Sequence, residues 1–406
     1  MRRGMVAGLV FVSLAVLYFF SILHRVGIAV IAYDIMSEFQ TDASLLGLMS
    51  SSYFFPYAFA QIPVGIMLDR IGIRKTVAIL ATIACAGSLV FSFGSSIGML
   101  SVGRALVGFG VGGFYISSLK AIAVWYKPGQ FATLAGLLTA IGNIGGIVAS
   151  SPLALLTLMM GWRGAFLVIF FLMSVFTVIA WFVVKDGDDS SFRSKSSILD
   201  DLKAVFSQRE FIKIMFIPFF VYGFFISFQG LWGGPFLMDV YGMTKEAAGG
   251  YLMMIGIGFA LGGPIAGIIS DSVKRRKPIL LAGQALSLAF WVIMASFGSG
   301  LAALPMYSAF FLLGLAFGFA NIYMTISKEL FHPGMTGMAL ACFNTFNFVG
   351  AGIFQSLMGF MLDLTFGGAR SFEAYQLIFV MCSICVFMTI FLALISKETY
   401  GIVHRT

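Results

Sequence analysis

A histidine and an arginine stand side by side within a long apolar stretch near the start of the sequence. His24 and Arg25 lie in a run that extends from about position 6 to 33. In a helix rising about 1.5 Å per residue, Arg25 would sit a little beyond the middle, too deep to reach water easily. A guanidinium there can bind a carboxylate or phosphate through two hydrogen bonds, and a histidine can carry a proton near neutral pH. We expect Arg25 to bind an anion or a structural partner, and His24 to carry a proton or a structural hydrogen bond.

Two short charged segments interrupt the apolar sequence, and the second is a copy of the first. Each matching residue of the second segment lies 202 positions after its counterpart in a chain of 406 residues. The matching pairs are Gly65 and Gly267, Asp69 and Asp271, Arg74 and Arg276, and Lys75 and Lys277. A repeat at half the chain length predicts two related halves.

The composition indicates a membrane protein. Hydrophobic residues make up 60% of the chain and charged residues 10%, with a mean hydropathy of +0.99. A soluble domain needs a more polar exterior, whereas apolar runs of about 20 residues cross a bilayer as helices. The sequence therefore predicts an all-α membrane protein with twelve transmembrane helices. The predicted spans are about 6–33, 44–67, 76–98, 100–125, 131–156, 163–184, 213–238, 247–270, 278–299, 303–330, 336–362 and 372–396.

One connection is long and polar, and it separates the halves. We expect six helices in residues 1–184, a cytoplasmic linker at 185–212 and six helices in residues 213–406. Most of the 25 basic residues fall on the side of the N-terminus, which predicts that both termini are cytoplasmic. The net charge of +8 then reflects topology and anionic lipid headgroups, so a nucleic-acid partner is not expected.

The first charged segment resembles the signature loop of the major facilitator superfamily. The residues that carry this resemblance are Gly65, Asp69, Arg70, Gly72, Arg74 and Lys75. Arg104, followed by glycines at 108 and 110, resembles the arginine–glycine motif of the same family. The resemblance implies two pseudo-symmetric six-helix halves and transport by alternating access. It also implies a gating role for these residues and for Arg104, Asp271, Arg276 and Lys277, although the basic ones could serve membrane topology alone.

The segment around Arg25 is similar to the first helix of the organic-anion symporters in that family. The resemblance implies that Arg25 faces a central cavity and binds the negative group of the substrate. The candidate substrate-binding residues are Arg25, His24, Lys120, Tyr115, Asn143, Gln229, Asn321, Tyr323, Asn344 and Asn347. For the neutral ones the alternative is hydrogen bonding between helices, and for Lys120 it is extension to the lipid interface. His24 and Glu329 are the candidate proton carriers, with an ion pair as the alternative for Glu329.

These observations predict a secondary active transporter for a small organic, carboxylate-bearing anion, with proton-coupled symport. The alternatives are a proton-driven exporter of drugs or metabolites, a uniporter for amino acids or peptides, and a receptor or scaffold that does not transport. The sequence has no phosphate-binding loop, metal-ligand spacing or nucleophile motif, so neither an enzyme nor a cofactor or metal is expected. The expected partners are the solute, protons and the lipid bilayer. We expect a monomer in a bacterial inner membrane.

Overall fold

The structure of the chain is a computed structural model that describes residues 2–186, 198–331, 335–364 and 370–401. Within these residues there are helices and no strand, so the predicted all-α fold is confirmed. The first nine helices are α1 (Arg2–Val26), α2 (Ile28–Phe39), α3 (Ala43–Ser51), α4 (Phe54–Arg70), α5 (Gly72–Ser92), α6 (Ile97–Val111), α7 (Phe114–Trp125), α8 (Phe131–Val148) and α9 (Ser151–Val183). The other nine are α10 (Ile198–Ser207), α11 (Arg209–Ser227), α12 (Gly233–Tyr241), α13 (Lys245–Val273), α14 (Lys277–Phe297), α15 (Ala303–Ala320), α16 (Tyr323–Glu329), α17 (Thr336–Leu364) and α18 (Phe372–Ile395).

In the described part of the chain, ten helical segments are long and apolar enough to cross a membrane. Two of the twelve predicted spans are not among them, for local reasons. The second span is divided into α3 and α4, each too short alone, and the fifth contains the shorter apolar helix Thr133–Val148. Helix α9 contains the end of the fifth predicted span and most of the sixth, and the two parts meet at a kink at Gly161, whose φ is +72°.

The chain divides into two compact units. The first comprises Met1–Thr41 and Leu48–Arg193, and the second comprises Asp42–Gly47 and Ser194–Thr406. Part of the predicted linker, residues 187–197, lies outside the described residues. The rest includes α10, so the bounds of the linker stay a prediction.

Several apolar spans are not continuous helices. The first is broken at Gly27, between α1 and α2, and the fourth at Gly112 and Gly113, between α6 and α7. In the second half, a π-helical turn at Phe228–Trp232 separates α11 from α12. Asn321 is the C-cap residue of α15 and directly precedes the N-cap residue of α16, so the tenth span is broken there as well. A break leaves the last carbonyl groups of the preceding helix without partners in that helix. In an apolar interior these groups need other donors.

Glycines allow the helices to cross closely at equivalent places in the two halves. A Cβ atom on Gly108 of α6 would overlap the carbonyl oxygen of Tyr53, and one on Gly314 of α15 would overlap that of Ile255. Tyr53 and Ile255 are themselves 202 residues apart. Because both obstacles are backbone atoms, a side chain at either glycine would push two helices apart.

The first prediction concerns this crossing in the second unit. Gly314→Ala should destabilise the protein by about 1–3 kcal/mol, the usual effect of overpacking a close contact. The measurement is thermal unfolding of the purified protein in detergent. Gly263→Ala on α13 is the control, because nothing lies within 4 Å of the Cβ it would add. Equal midpoints for the two variants would contradict the predicted contact.

Candidate functional site

Arg104 is buried inside the first unit, where two helix breaks bring carbonyl groups to its guanidinium. Its side chain is 1% exposed. Nη1 donates to the carbonyl oxygen of His24 at 2.6 Å, and Nη2 donates to that of Ser50 at 3.3 Å. Those carbonyls lie in the last turns of α1 and α3, where the helix dipole is negative. The Ser50 carbonyl oxygen also accepts from the backbone N–H of Tyr53 at 3.4 Å. Backbone oxygens at two helix ends therefore stabilise a buried positive charge.

Two stacked tyrosines contact both buried arginines of this unit. The rings of Tyr53 and Tyr57 are 5.8 Å apart between centroids. The Arg104 guanidinium carbon lies 4.5 Å from the centre of the Tyr53 ring, and that of Arg25 lies 5.2 Å from the centre of the Tyr57 ring. The Tyr53 hydroxyl also donates to the carbonyl oxygen of Ser21 at 3.1 Å, which ties the pair to α1. The aromatic faces hold the cations in place by cation–π attraction.

These tyrosines were not among the site residues predicted from the sequence. The signal that could have found them is their spacing of four residues, which places both rings on one helical face within an apolar span.

The buried arginines of this unit and the histidine beside one of them are all basic. Arg25 is 7% exposed and His24 is 1% exposed, and no aspartate or glutamate is buried among the residues whose side chains the structure describes. The two neighbours diverge as expected for adjacent helix positions: the His24 ring packs 5.8 Å from that of Phe166, while Arg25 contacts Tyr57. In the described part of the chain, His24 Nε2 has no hydrogen-bond partner.

The other predicted substrate-binding residues of the first unit lie in different surroundings. Tyr115 packs against Tyr18, with 5.1 Å between ring centroids, beside the apolar cluster of α1, α7 and α8. Asn143 is partly exposed on α8. Lys120 forms an ion pair with Asp69 at 2.7 Å and donates to the carbonyl oxygen of Leu68 at 3.0 Å. The structure therefore places Lys120 beside a predicted gating carboxylate.

In the second unit, three of the predicted polar residues form one hydrogen-bonded chain. The buried Tyr323 hydroxyl donates to Asn347 Oδ1 at 3.4 Å, and Asn347 Nδ2 donates to Asn344 Oδ1 at 3.4 Å. Gln229 is buried in the π-helical turn, and Asn321 caps the end of α15. Gln229 and Asn321 therefore both lie where a membrane-spanning helix is interrupted. Such interruptions, π-helical turns among them, are frequent at functional sites.

The first charged segment is held at the beginning of α5. Gly72 has a φ of +83°, a conformation that favours glycine. Arg74 stacks on Trp181 with its guanidinium carbon 4.3 Å from the ring centre, and its Nε donates to the Trp181 carbonyl oxygen at 2.8 Å. The other predicted gating residues here are Gly65 and Arg70 on α4 and Lys75 on α5.

The second charged segment forms a denser network. Arg276 Nη1 lies 2.6 Å from Asp271 Oδ1, and Arg276 Nη2 lies 2.9 Å from Glu329 Oε1. Lys277 Nζ donates to the carbonyl oxygen of Ser396 at 3.0 Å. Glu329, a candidate proton carrier, thus belongs to the same cluster as the predicted gating residues. Its role and theirs stay predictions.

The sequence profile of the Major Facilitator Superfamily matches residues 14–355. The chain is 25% identical over 310 residues to the probable sulfoacetate transporter SauU of Cupriavidus necator, with 71% of each chain covered. It is 25% identical over 376 residues to the hexuronate transporter of Bacillus subtilis, with 86% of each covered. The crystal structure of a D-xylose-proton symporter has the same fold, with a TM-score of 0.75 and 14% identity over 97% of this chain and 99% of that one.

A helical chain with many membrane-crossing segments and a duplicated charged segment defines a multi-pass membrane transporter of small molecules. The chain belongs to the Major Facilitator Superfamily, as the sequence resemblance implied. It is a transporter and not an enzyme. Across the described residues, no group of three or more His, Cys, Asp or Glu side chains could hold a metal ion.

The second prediction tests the aromatic support of Arg104. Tyr53→Phe keeps the ring and loses the hydrogen bond to Ser21, so it should destabilise the protein by about 1 kcal/mol. Tyr53→Leu also loses the cation–π contact, so it should cost roughly 2 kcal/mol more. Thermal unfolding in detergent measures both variants. Equal losses for the two would show that the ring contributes nothing to holding Arg104.

Proposed function

We propose that this transporter carries a small organic anion and that Arg25 binds the negative group of that solute. The observation that supports this most directly is the pair of buried guanidiniums on one tyrosine stack, together with the exposure, partial or full, of every acid whose side chain the structure describes. A solute anion that reaches this region meets positive charge and no buried carboxylate that would repel it. Placing an arginine inside a membrane protein costs several kcal/mol, so such residues usually serve function.

The two arginines differ in what they can offer a ligand. Arg104 already donates to two carbonyl oxygens and stacks on Tyr53, so its guanidinium is used for structure. Arg25 is positioned by Tyr57 one turn along the same helix face. A guanidinium held by an aromatic face keeps its planar donors in a fixed orientation, which suits bidentate binding of a carboxylate or sulfonate.

The relatives support the same class of solute. Sulfoacetate carries a carboxylate and a sulfonate, and a hexuronate carries a carboxylate on a polyhydroxylated chain; these are the solutes in the names of two related transporters. We therefore propose carboxylate-bearing organic acids as the substrate class, moved by alternating access in a bacterial inner membrane with both termini in the cytoplasm.

The third prediction tests the anion site directly. Sulfoacetate and D-glucuronate uptake is measured in proteoliposomes, with D-glucose as the uncharged comparison. Arg25→Ala should reduce Vmax/KM for the transported acid roughly 30-fold or more, since removing one partner of a desolvated charge pair costs about 2–5 kcal/mol. Arg25→Lys should recover part of this, because an ammonium keeps the charge but loses the planar donor pair.

The matched control is Arg209→Ala, which removes an exposed arginine at the beginning of α11. Its uptake should equal that of the unaltered protein. If Arg25→Ala keeps the KM of the unaltered protein, Arg25 does not bind the anion. If the unaltered protein carries D-glucose and neither acid, the proposed substrate class is wrong.

The fourth prediction concerns coupling. We propose proton symport with His24 as a proton carrier, because an anion bound at the neighbouring Arg25 would offset the positive charge that otherwise disfavours the imidazolium. Uptake of the acid should then accelerate when the outside pH is lowered, and His24→Asn should abolish that acceleration while leaving exchange of solute on both sides intact. Uptake that responds equally to pH in both proteins would exclude His24 as the carrier.

A further inference from the structure

In the first unit, a carboxylate that follows the last helix binds the beginning of α5. Asp186 Oδ1 accepts from the backbone N–H of Arg74 at 3.0 Å. Arg74 is the third residue of α5, so its N–H is one of the four that a helix cannot satisfy internally. Any side chain on Gly72 would collide with the Asp186 carboxylate, so this glycine also makes room for the contact.

The second unit repeats this arrangement with a different acid. Glu398 follows α18, and its Oε1 accepts from the backbone N–H of Arg276 at 2.8 Å while its Oε2 accepts from that of Lys277 at 3.2 Å. Arg276 is the residue that lies 202 positions after Arg74. The same backbone position of the repeated segment is therefore bound by a carboxylate in both units. Two independent occurrences point to a role beyond local packing.

The segment that carries Glu398 also contacts the side chains of the second charged cluster. Glu398 fixes its own turn by accepting from the N–H groups of Thr399 at 3.0 Å and Tyr400 at 3.1 Å. The fully buried Thr399 then donates from Oγ1 to Glu329 Oε2 at 2.7 Å. The Tyr400 ring lies under Arg276, with 4.7 Å from the guanidinium carbon to the ring centre.

We propose that Glu398 is a positioning residue for transport: it fixes the beginning of α14 and the turn at 398–400, so that Arg276 bridges Asp271 and Glu329. In the first unit, Asp186 likewise fixes the beginning of α5, where Arg74 stacks on Trp181. Neither carboxylate has to touch the solute. Each acts through the arginine of the charged repeat, which lies at the beginning of its helix.

The electrostatics of Glu398 agree with this role. Burial raises the pKa of the Glu398 carboxyl, but the backbone N–H groups of Arg276, Tyr400, Lys277 and Thr399 outweigh that effect and hold the pKa below its usual range. The charged and titratable groups around it are Arg276 and Lys277 at α14, Asp271 on α13, Glu329 on α16, and Lys397 and Tyr400 on its own segment. A lowered native pKa means that the ionised form stabilises the fold.

The fifth prediction uses the two units as controls for each other. In Glu398→Gln, amide hydrogen exchange at Arg276 and Lys277 should accelerate on the order of tenfold, because a neutral amide is a weaker acceptor for these N–H groups, while exchange at Arg74 stays unchanged. Asp186→Asn should give the reverse pattern. Glu398→Asp, which keeps the carboxylate, should restore part of the protection. Acceleration at both sites in either variant would indicate general loosening and overturn the proposal.

The pH dependence gives a second readout. The unaltered protein should unfold at a higher temperature than Glu398→Gln at pH 7, where the carboxylate is ionised. Because the native pKa is lowered, this difference should persist down to the ordinary glutamate pKa of about 4.3 and vanish as the pH falls further. A difference that does not change with pH would also overturn the proposal.

Transport completes the test. With the acid that the unaltered protein carries, Glu398→Gln should reduce Vmax several-fold and leave KM within about twofold, since the solute site is untouched. A raised KM at normal Vmax would contradict a positioning role. If neither sulfoacetate nor D-glucuronate is carried, the proposed substrate class fails, while hydrogen exchange and the pH dependence still decide the role of Glu398.

Discussion

The first unit depends on one interaction: the guanidinium of Arg104 bound to the carbonyl oxygens of His24 and Ser50. A charge buried in a membrane protein costs several kcal/mol unless strong acceptors surround it. Here the acceptors are carbonyl groups in the last turns of α1 and α3, of which that of Ser50 also accepts from the backbone N–H of Tyr53. The end of α1 and the arginine therefore stabilise each other, since the guanidinium needs acceptors and the His24 carbonyl needs a donor. Gly108, one turn further along α6, allows the approach that this contact requires.

This arrangement also determines what surrounds Arg25. The break that exposes the His24 carbonyl directly follows the last turn of α1, and that turn holds Arg25 itself. The tyrosine pair that supports Arg104 through Tyr53 supports Arg25 through Tyr57. One arginine is thus used to fix the backbone, and the second is oriented by the same aromatic stack. A rigid support of this kind is what a site for a charged solute needs, because a loosely held guanidinium loses the geometric benefit of its paired donors.

The sequence predicted the fold well because its signals are local. Long apolar runs predict membrane helices, and the charged segments at 65–75 and 267–277 reveal the duplication. The breaks at Gly27 and Gly112 could not be predicted, since a straight helix and a broken one have the same apolar composition. The contact of Lys120 with Asp69 joins residues 51 positions apart on different helices, and the sequence does not specify such a contact. Asp186 and Glu398 were missed because acids in polar connecting segments are usually solvated.

The duplicated segments have kept one contact and changed another, which indicates how the two halves differ. Both bind a carboxylate at the backbone N–H of the repeated arginine. The repeated aspartate, however, pairs with Lys120 in the first unit and with Arg276 in the second. Both aspartates are largely exposed, Asp69 by 52% and Asp271 by 70%, so each of these pairs alone contributes little, on the order of 0.2–1 kcal/mol. A guanidinium has five donors in one plane, and Arg276 uses them to bind α13 and α16, while its face lies on the Tyr400 ring after α18. Helix movements in the first unit can therefore break one weak ion pair, whereas in the second they must rearrange a connected network, and it is there that a positioning carboxylate has the greater effect.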